Sequence, residues 1–320
     1  MCTKSYKDRI KKIAREITDG EKPVIIIGDN AVGKSDVIGR VAKNLLGHVY
    51  FIDAVNRCFD LEKINSTPPA PQQRVITEKD VDARLQEEFF NKKDTFAQQD
   101  SIERWYALYA DELQQLMNAF WQRDVRIDSV QVGEIGTRFT AYESGEQIQL
   151  SSGYQAVLRI LAECIVCRDY LRTDSKQIVV LIDEIDEFLS ARSAGKILNF
   201  LTESFPKFRF VVSTHSADVL FQSKNYILTA LTGNDYLIYD GNDLNSITDV
   251  YILFKHIFLK DGSSKRNEKQ ALTDALSYYL NLKLMGTWSK EAEQDFSKIQ
   301  TDKMTNSQKF LYQQIKRWNT

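Results

Sequence analysis

Eight residues near the start of the chain constrain its fold more than any other segment. Residues 28–35 fit the spacing Gly, any four residues, Gly-Lys-Ser, and the apolar run 24–27 stands directly before them. A strand that leads through a glycine-rich loop into a helix gathers backbone N–H groups and the positive helix end around an anion. The pattern therefore predicts a nucleoside triphosphate site, in which Lys34 contacts the β- and γ-phosphates and Ser35 binds Mg²⁺. The predicted nucleotide contacts are Gly28, Asp29, Asn30, Ala31, Val32, Gly33, Lys34, Ser35 and Asp36.

Composition excludes several other classes of protein. The chain has 320 residues, of which 43% are hydrophobic and 27% charged, as is typical of globular proteins. Its formal charge of −2 gives no overall basic field for nucleic acid, although residues 254–320 carry 12 Lys and Arg against 7 Asp and Glu. The apolar runs are too short to span a membrane, and the four cysteines form no disulfide framework. We expect a cytoplasmic protein with no membrane association.

Strand-like and helix-like segments alternate along most of the chain. Near-continuous apolar strands separated by helices predict an α/β fold with a mainly parallel sheet covered on both faces. The turn signal at 144–146 predicts an antiparallel hairpin. Strands are predicted at 24–27, 48–52, 126–132, 136–142, 147–150, 178–182, 208–213, 226–231 and 236–239. Helices are predicted at 6–18, from the glycine-rich loop to about 46, and at 80–91, 101–123, 154–170 and 191–204. We expect one domain over 1–245 with a helical insertion at about 53–125, and a helical region over 246–320.

An acidic pair follows the apolar run 178–182. Asp183 and Glu184 stand where a buried parallel strand ends, and parallel sheets bind ligands at that edge. There Asp183 would hold Mg²⁺, and Glu184 would orient or deprotonate the attacking water. The alternative is that the pair only begins the next helix as an N-cap.

Two further candidates stand at the ends of other elements. His215 follows the strand 208–213, where its imidazole would contact the γ-phosphate and the water, unless it is a structural residue like His48 and His256. The residues Ser151, Ser152 and Gly153 precede a helix and offer a hydroxyl group and free N–H groups as a second anion site. Ordinary N-capping by one of the serines is the alternative.

Taken in order, these motifs resemble those of the ATP-binding-cassette ATPases. The residues are the loop 28–35, Leu-Ser-Ser-Gly at 150–153, Asp-Glu at 183–184 and Ser-Thr-His-Ser at 213–216. The residues of these motifs are most similar to those of the soluble RecF, SMC and OLD branch. The resemblance implies ATP and Mg²⁺ as cofactors and a homodimer, or a higher even oligomer, that sandwiches two ATP molecules. Ser152 and Gly153 would then reach the γ-phosphate bound by the partner chain.

Some features of that family have no clear counterpart. The glutamine that contacts Mg²⁺ is assigned to Gln72 or Gln73, with Gln131 as another candidate. Residues 186–190 occupy the place of the loop that crosses the dimer interface in that family, but their sequence differs from the family pattern. The insertion of about 70 residues is too short for a long coiled coil, and no nuclease domain is expected after residue 240.

The expected function is ATP hydrolysis by in-line attack of water on the γ-phosphate, with Lys34 and Ser152 of the partner subunit stabilising charge. Resemblance to stand-alone members of the branch implies that this cycle drives a separate effector protein, as in bacterial anti-phage defence. One alternative is a DNA-repair ATPase that binds DNA directly. Another is a nucleotide-dependent scaffold without hydrolysis, although such a scaffold would not need Glu184.

Overall fold

The computed structural model of the chain divides into a unit of residues 1–259 and a unit of residues 260–320. It describes residues 4–54, 57–68, 73–85, 96, 101–132, 136–171, 177–232, 235–244, 250, 253–254, 257, 272, 275–276, 278–280, 282–283, 288–299, 301 and 304–317. Val250, Leu253 and Ile257 belong to the hydrophobic core of the first unit. That unit therefore extends past the boundary expected at residue 245.

The first unit contains helices α1 (Lys4–Asp19), α2 (Lys34–Asn44), α3 (Glu78–Leu85), α4 (Tyr106–Trp121), α5 (Ser152–Tyr170), α6 (Ala191–Ser204) and α7 (Ala217–Gln222). Its strands are β1 (Val24–Gly28), β2 (Val49–Ile52), β3 (Val125–Val132), β4 (Gly136–Glu143), β5 (Glu146–Ile148), β6 (Ile178–Ile182), β7 (Phe208–Ser213), β8 (Ile227–Leu231) and β9 (Tyr236–Asp240). The second unit contains α8 (Lys290–Ser297) and α9 (Asn306–Arg317), with a small core of Leu276, Phe296, Met304 and Ile315.

Six strands form one sheet in the order β2-β6-β7-β1-β8-β9. All neighbours pair in parallel except β8 and β9, which are antiparallel. Every residue of β1 and β7 is buried, as in a sheet covered on both faces. The ends of β1, β6 and β7 are level, because Ile26 pairs with Ser213 and Ile182 pairs with Val212. This alignment brings the loops after the three strands to one edge.

The remaining three strands form a separate antiparallel sheet, β3-β4-β5. Its second hairpin turns at Ser144 and Gly145, which have φ of 52° and 85°. Two consecutive left-handed residues are typical of the tight turns that join antiparallel strands. The predicted fold class, α/β with a mainly parallel sheet and an antiparallel subdomain, is thereby confirmed.

Several predicted boundaries were wrong. The predicted strand 147–150 ends at Ile148, because the Leu150 carbonyl instead accepts a hydrogen bond of 2.9 Å from the Gln155 side chain at the start of α5. The predicted helix 101–123 begins as a 3₁₀ turn over Ile102–Trp105 before α4. Short α7 was not predicted. Part of the predicted helix 80–91 and much of the region after 246 lie outside the described residues. Among those described, no helix combines the length and apolar character that crossing a membrane requires.

Candidate functional site

The glycine-rich loop joins β1 to α2, and glycine is required at two of its positions for different structural reasons. A Cβ atom on Gly28 would lie 2.7 Å from Val32 Cγ2 and 2.9 Å from the carbonyl oxygen of Leu231. Gly33 has a φ of 102°, a left-handed conformation that glycine adopts without strain. The first glycine is thus required for close packing and the second for its backbone conformation.

The tip of the loop is exposed. Asp29, Asn30 and Ala31 are all accessible to solvent, and the Asn30 N–H donates to Asp29 Oδ1 at 2.7 Å. Ala31 has a φ of 61°, which is uncommon for a residue other than glycine. The backbone therefore turns sharply through the segment where the sequence predicts the phosphates to bind.

Lys34 is the first residue of α2, and its side chain folds back over the loop. Its Nζ donates to the carbonyl oxygens of Gly28 at 3.0 Å and Asp29 at 3.1 Å. Burial lowers the pKa of this ammonium group, while the nearby carboxylates of Asp183 and Glu184 act in the opposite direction. The loop consequently holds a largely buried cation beside its own backbone, as a triphosphate site requires.

Ser35 and Asp183, the two predicted metal ligands, are in direct contact. Ser35 Oγ donates to Asp183 Oδ2 at 2.9 Å, and the Ser213 hydroxyl donates to the other carboxylate oxygen. Hydroxyl and carboxylate oxygens suit Mg²⁺, which binds proteins through one or two such groups together with phosphates and water. Within the described residues, no group of three or more His, Cys, Asp or Glu side chains could hold a metal by itself. The donor set therefore fits a magnesium ion shared with a bound triphosphate.

Glu184 lies at the same edge in an unusual conformation. Its φ is 49°, and its N–H donates to Ser213 Oγ at 2.8 Å. Burial raises the pKa of its carboxyl group, and the neighbouring negative charge of Asp183 adds to the increase. The N-cap of α6 is Ser190, so the alternative in which the acidic pair caps that helix is wrong.

His215 faces Glu184 from the neighbouring strand end. Its Nε2 lies 3.8 Å from Glu184 Oε1, and both side chains are about one-third exposed, at 33% and 37%. The residues beside it have structural contacts: the Thr214 hydroxyl donates to Asp186, and Ser216 caps α7. The structure thus places an imidazole and a carboxylate together beside Asp183.

The predicted second anion site, residues 151–153, lies at the start of α5 and is called the signature turn below. Ser151 caps the helix by accepting a hydrogen bond of 3.3 Å from the Tyr154 N–H, as the N-capping alternative proposed. Ser152 is exposed. A Cβ atom on Gly153 would lie only 2.9 Å from the carbonyl oxygen of Phe188, in the loop after the acidic pair. Only glycine allows α5 to approach that loop so closely.

The candidate magnesium-contacting glutamines gain no support. Gln73 and Gln131 are both exposed, and Gln131 lies in the antiparallel sheet. Gln72 lies outside the described residues. Another glutamine, Gln155, makes a structural contact, because its Oε1 accepts a hydrogen bond from the Phe59 N–H at 3.3 Å.

Sequence reasoning missed residues that support the loop from α1. Arg9 donates to the carbonyl oxygens of Val32 at 3.2 Å and Thr232 at 2.9 Å, and the Tyr6 hydroxyl donates to Asp36. The helix itself was predicted, but its amphipathic pattern did not indicate what its polar residues would contact. Arg57 was also missed; its Nη2 donates to the carbonyl oxygen of Asp183 at 2.7 Å.

No protein-family model matches the chain. The Septu protein PtuA of Bacillus mycoides (strain KBAB4) is 35% identical over 68 residues, or 21% of this chain. The chain matches only 10% of the length of that curated relative.

Similar solved structures include the SMC head domain from Thermotoga maritima, with 14% identity and a TM-score of 0.36 over 69% of this chain and 90% of that one. They also include an inward-facing metal-chelate type ABC transporter, with 13% identity and a TM-score of 0.38 over 74% of this chain and 78% of that one.

Proposed function

We propose that the chain is an ATPase head of the ATP-binding-cassette and SMC type, which hydrolyses ATP with Mg²⁺. The observation that carries this proposal is the 2.9 Å contact between Ser35 Oγ and Asp183 Oδ2, with Lys34 and Glu184 beside it. A hydroxyl and a carboxylate in contact at the start of a phosphate-binding helix are suited to hold Mg²⁺ together with a triphosphate.

Each side chain has a role that follows from its position. The loop N–H groups and the Lys34 ammonium would hold the β- and γ-phosphates, and Ser35 with Asp183 would hold Mg²⁺. When bound, the ion would neutralise negative charge on the triphosphate. Glu184 would orient the attacking water and accept its proton, and a raised pKa suits that exchange. His215, 3.8 Å from Glu184, would hydrogen-bond the water or the γ-phosphate.

The complete site would need a second copy of the chain. Ser152 is exposed at the N-terminus of α5, and Phe188 in the adjoining loop is 53% exposed although it is large and apolar. An exposed hydroxyl group at a positive helix end is suited to a phosphate on another molecule. We propose a homodimer, or a higher even oligomer, in which Ser152 and Gly153 contact the γ-phosphate held by the partner.

We further propose that the cycle drives a separate effector protein in bacterial anti-phage defence. The motif resemblance implies this role, and the 68-residue match to a Septu protein supports it. The same match makes direct DNA repair the second candidate rather than the first. A partly buried Glu184 beside a candidate magnesium site argues against a scaffold without hydrolysis.

Phosphate release from ATP tests the enzymatic claim. Wild-type protein with ATP and Mg²⁺ should release phosphate, and Lys34→Ala should lose both release and nucleotide binding. Lys43→Ala is a matched control, because Lys43 also lies on α2 but pairs with Asp82 at 2.5 Å on the surface. Wild-type protein that neither binds nor hydrolyses ATP would overturn the proposal.

A further inference from the structure

The peptide group between Asp183 and Glu184 is held at both of its polar atoms. Arg57 Nη2 donates to its carbonyl oxygen at 2.7 Å, and its N–H donates to Ser213 Oγ at 2.8 Å. Ser213 also donates to the Asp183 carboxylate. Two side chains from different parts of the chain therefore fix the plane of this one peptide.

The fixed peptide leads directly into the backbone of Glu184. Glu184 has a φ of 49°, in the left-handed region that residues with a Cβ atom avoid. Such a conformation persists only where the surroundings impose it, and it is concentrated at functional sites. The hydrogen bond from Arg57 holds the peptide that precedes this residue and so restricts the backbone around it.

Arg57 itself is placed at a high desolvation cost. It is 1% exposed, and within the described part of the chain its Nε and Nη1 have no hydrogen-bond partner. Burial lowers the pKa of its guanidinium group to about 10, although the carboxylates of Asp53 and Asp183 oppose the decrease. It thus remains charged at neutral pH. A buried charge with unused donors is unfavourable for stability, so its position needs another explanation.

The segment that carries Arg57 is fastened to α5. Phe59 N–H donates to Gln155 Oε1 at 3.3 Å, and Arg159 Nη1 donates to the carbonyl oxygen of Cys58 at 3.3 Å. Because α5 begins at Ser152, the segment joins the helix of the signature turn to the acidic pair. Arg57 is the member of the segment that reaches the acidic pair.

We propose that Arg57 is a positioning residue, which fixes the Asp183–Glu184 peptide so that the Glu184 carboxylate faces the attacking water. This inference rests on the proposed ATPase function. Arg57 acts through the main chain and touches neither nucleotide nor water. Its loss should therefore slow hydrolysis without a comparable loss of ATP affinity.

Arg57→Met tests this separation, with Arg209→Met as the matched control. Arg209 is likewise buried and donates to main-chain carbonyl oxygens, including that of Lys22 at 2.9 Å, but it lies near the opposite end of β7 from Ser213. The measurements are kcat for ATP hydrolysis and the Kd of a fluorescent ATP analogue, each per folded protein. We expect Arg57→Met to lower kcat at least about tenfold with Kd within about threefold, since positioned proton transfer contributes about 10² to 10⁴ in rate. Arg209→Met should change neither value.

Two additional variants keep the test decisive if Arg57→Met does not fold. Arg57→Lys keeps a cation and should retain more activity, and Arg57→Ala should regain hydrolysis when guanidinium is added at millimolar concentration. If the wild type is active and the Arg57→Met and Arg209→Met proteins have equal kcat, this inference alone is overturned. The same holds if Arg57→Ala protein is folded and guanidinium does not restore its ATP hydrolysis. A wild type without ATP turnover would overturn the proposed function and the inference with it.

Discussion

The Ser35 hydroxyl donates to the Asp183 carboxylate at 2.9 Å across a sequence separation of 148 residues. Ser35 follows β1 and Asp183 follows β6, and β7 lies between these strands in the sheet. The contact forms because the strand ends are level and Ser213, the last residue of β7, bonds to the same carboxylate. The Asp183 carboxylate, which follows β6, thus contacts Ser35 after β1 and Ser213 at the end of β7.

Asp183→Asn should abolish magnesium-dependent ATP hydrolysis and leave the protein folded. The amide keeps the shape of the side chain, but it removes the charge that a hard cation requires. Phosphate release measured over a Mg²⁺ titration checks this, with circular dichroism to confirm folding. Glu187→Gln is the control, because Glu187 is exposed in the same loop and should keep the wild-type Mg²⁺ dependence. An equal dependence of phosphate release on Mg²⁺ in the two variants would show that Asp183 does not bind the ion.

The pH dependence of kcat should show an acid limb above the range of an ordinary glutamate. Burial and the Asp183 charge raise the pKa of Glu184, and only its deprotonated form can accept a proton. The rate should therefore rise with pH through that raised pKa and level off above it. A pH–rate profile checks this. A limb at the ordinary glutamate value of about 4.3 would show that Glu184 does not control the rate.

Gly153→Ala should impair hydrolysis more than ATP binding. The added Cβ would lie 2.9 Å from the Phe188 carbonyl oxygen, so α5 and the loop after the acidic pair must move apart. The phosphate loop does not include either residue. Nucleotide affinity and turnover of the variant, measured in parallel, check the expectation. Unchanged turnover would show that the close approach of α5 is not needed for the reaction.

Tyr6→Phe should lower the free energy of unfolding by about 1 kcal/mol, the typical net value of one hydrogen bond. The substitution removes the hydroxyl that donates to Asp36 and keeps the ring. Urea denaturation of the nucleotide-free protein measures the change. Tyr312→Phe, in the second unit, serves as a comparison. A destabilisation of several kcal/mol would mean that the ring of Tyr6 has moved as well.

The order of motifs along the chain predicted the main features of the candidate site. Strands β6 and β7 and helix α6 occur at the predicted residues, because buried apolar runs with clear ends leave few alternatives. The level strand ends of a parallel sheet then bring Asp183, Glu184 and His215 together. The geometry among Ser35, Asp183 and His215 follows from this topology.

The supporting contacts could not be predicted. Arg57 and Arg9 bind main-chain carbonyl oxygens, and such acceptors are present at every residue, so no pattern of residue types identifies them. The 3₁₀ turn before α4 was missed for a related reason, since 3₁₀ and α-helical turns share much of their spacing of apolar residues. Ser213 was recognised as part of the Ser-Thr-His-Ser motif, but its hydrogen bonds to Asp183 and Glu184 were not predicted.

In the proposed dimer, two copies of the chain enclose ATP between the phosphate loop of one and the signature turn of the other. Light scattering of Glu184→Gln protein, with and without ATP and Mg²⁺, tests it most directly, because this variant should bind ATP without hydrolysing it. Nucleotide should double the mass, and Ser152→Arg in the same background should prevent the doubling. An unchanged mass in a protein that binds ATP would show that ATP is not enclosed between two copies.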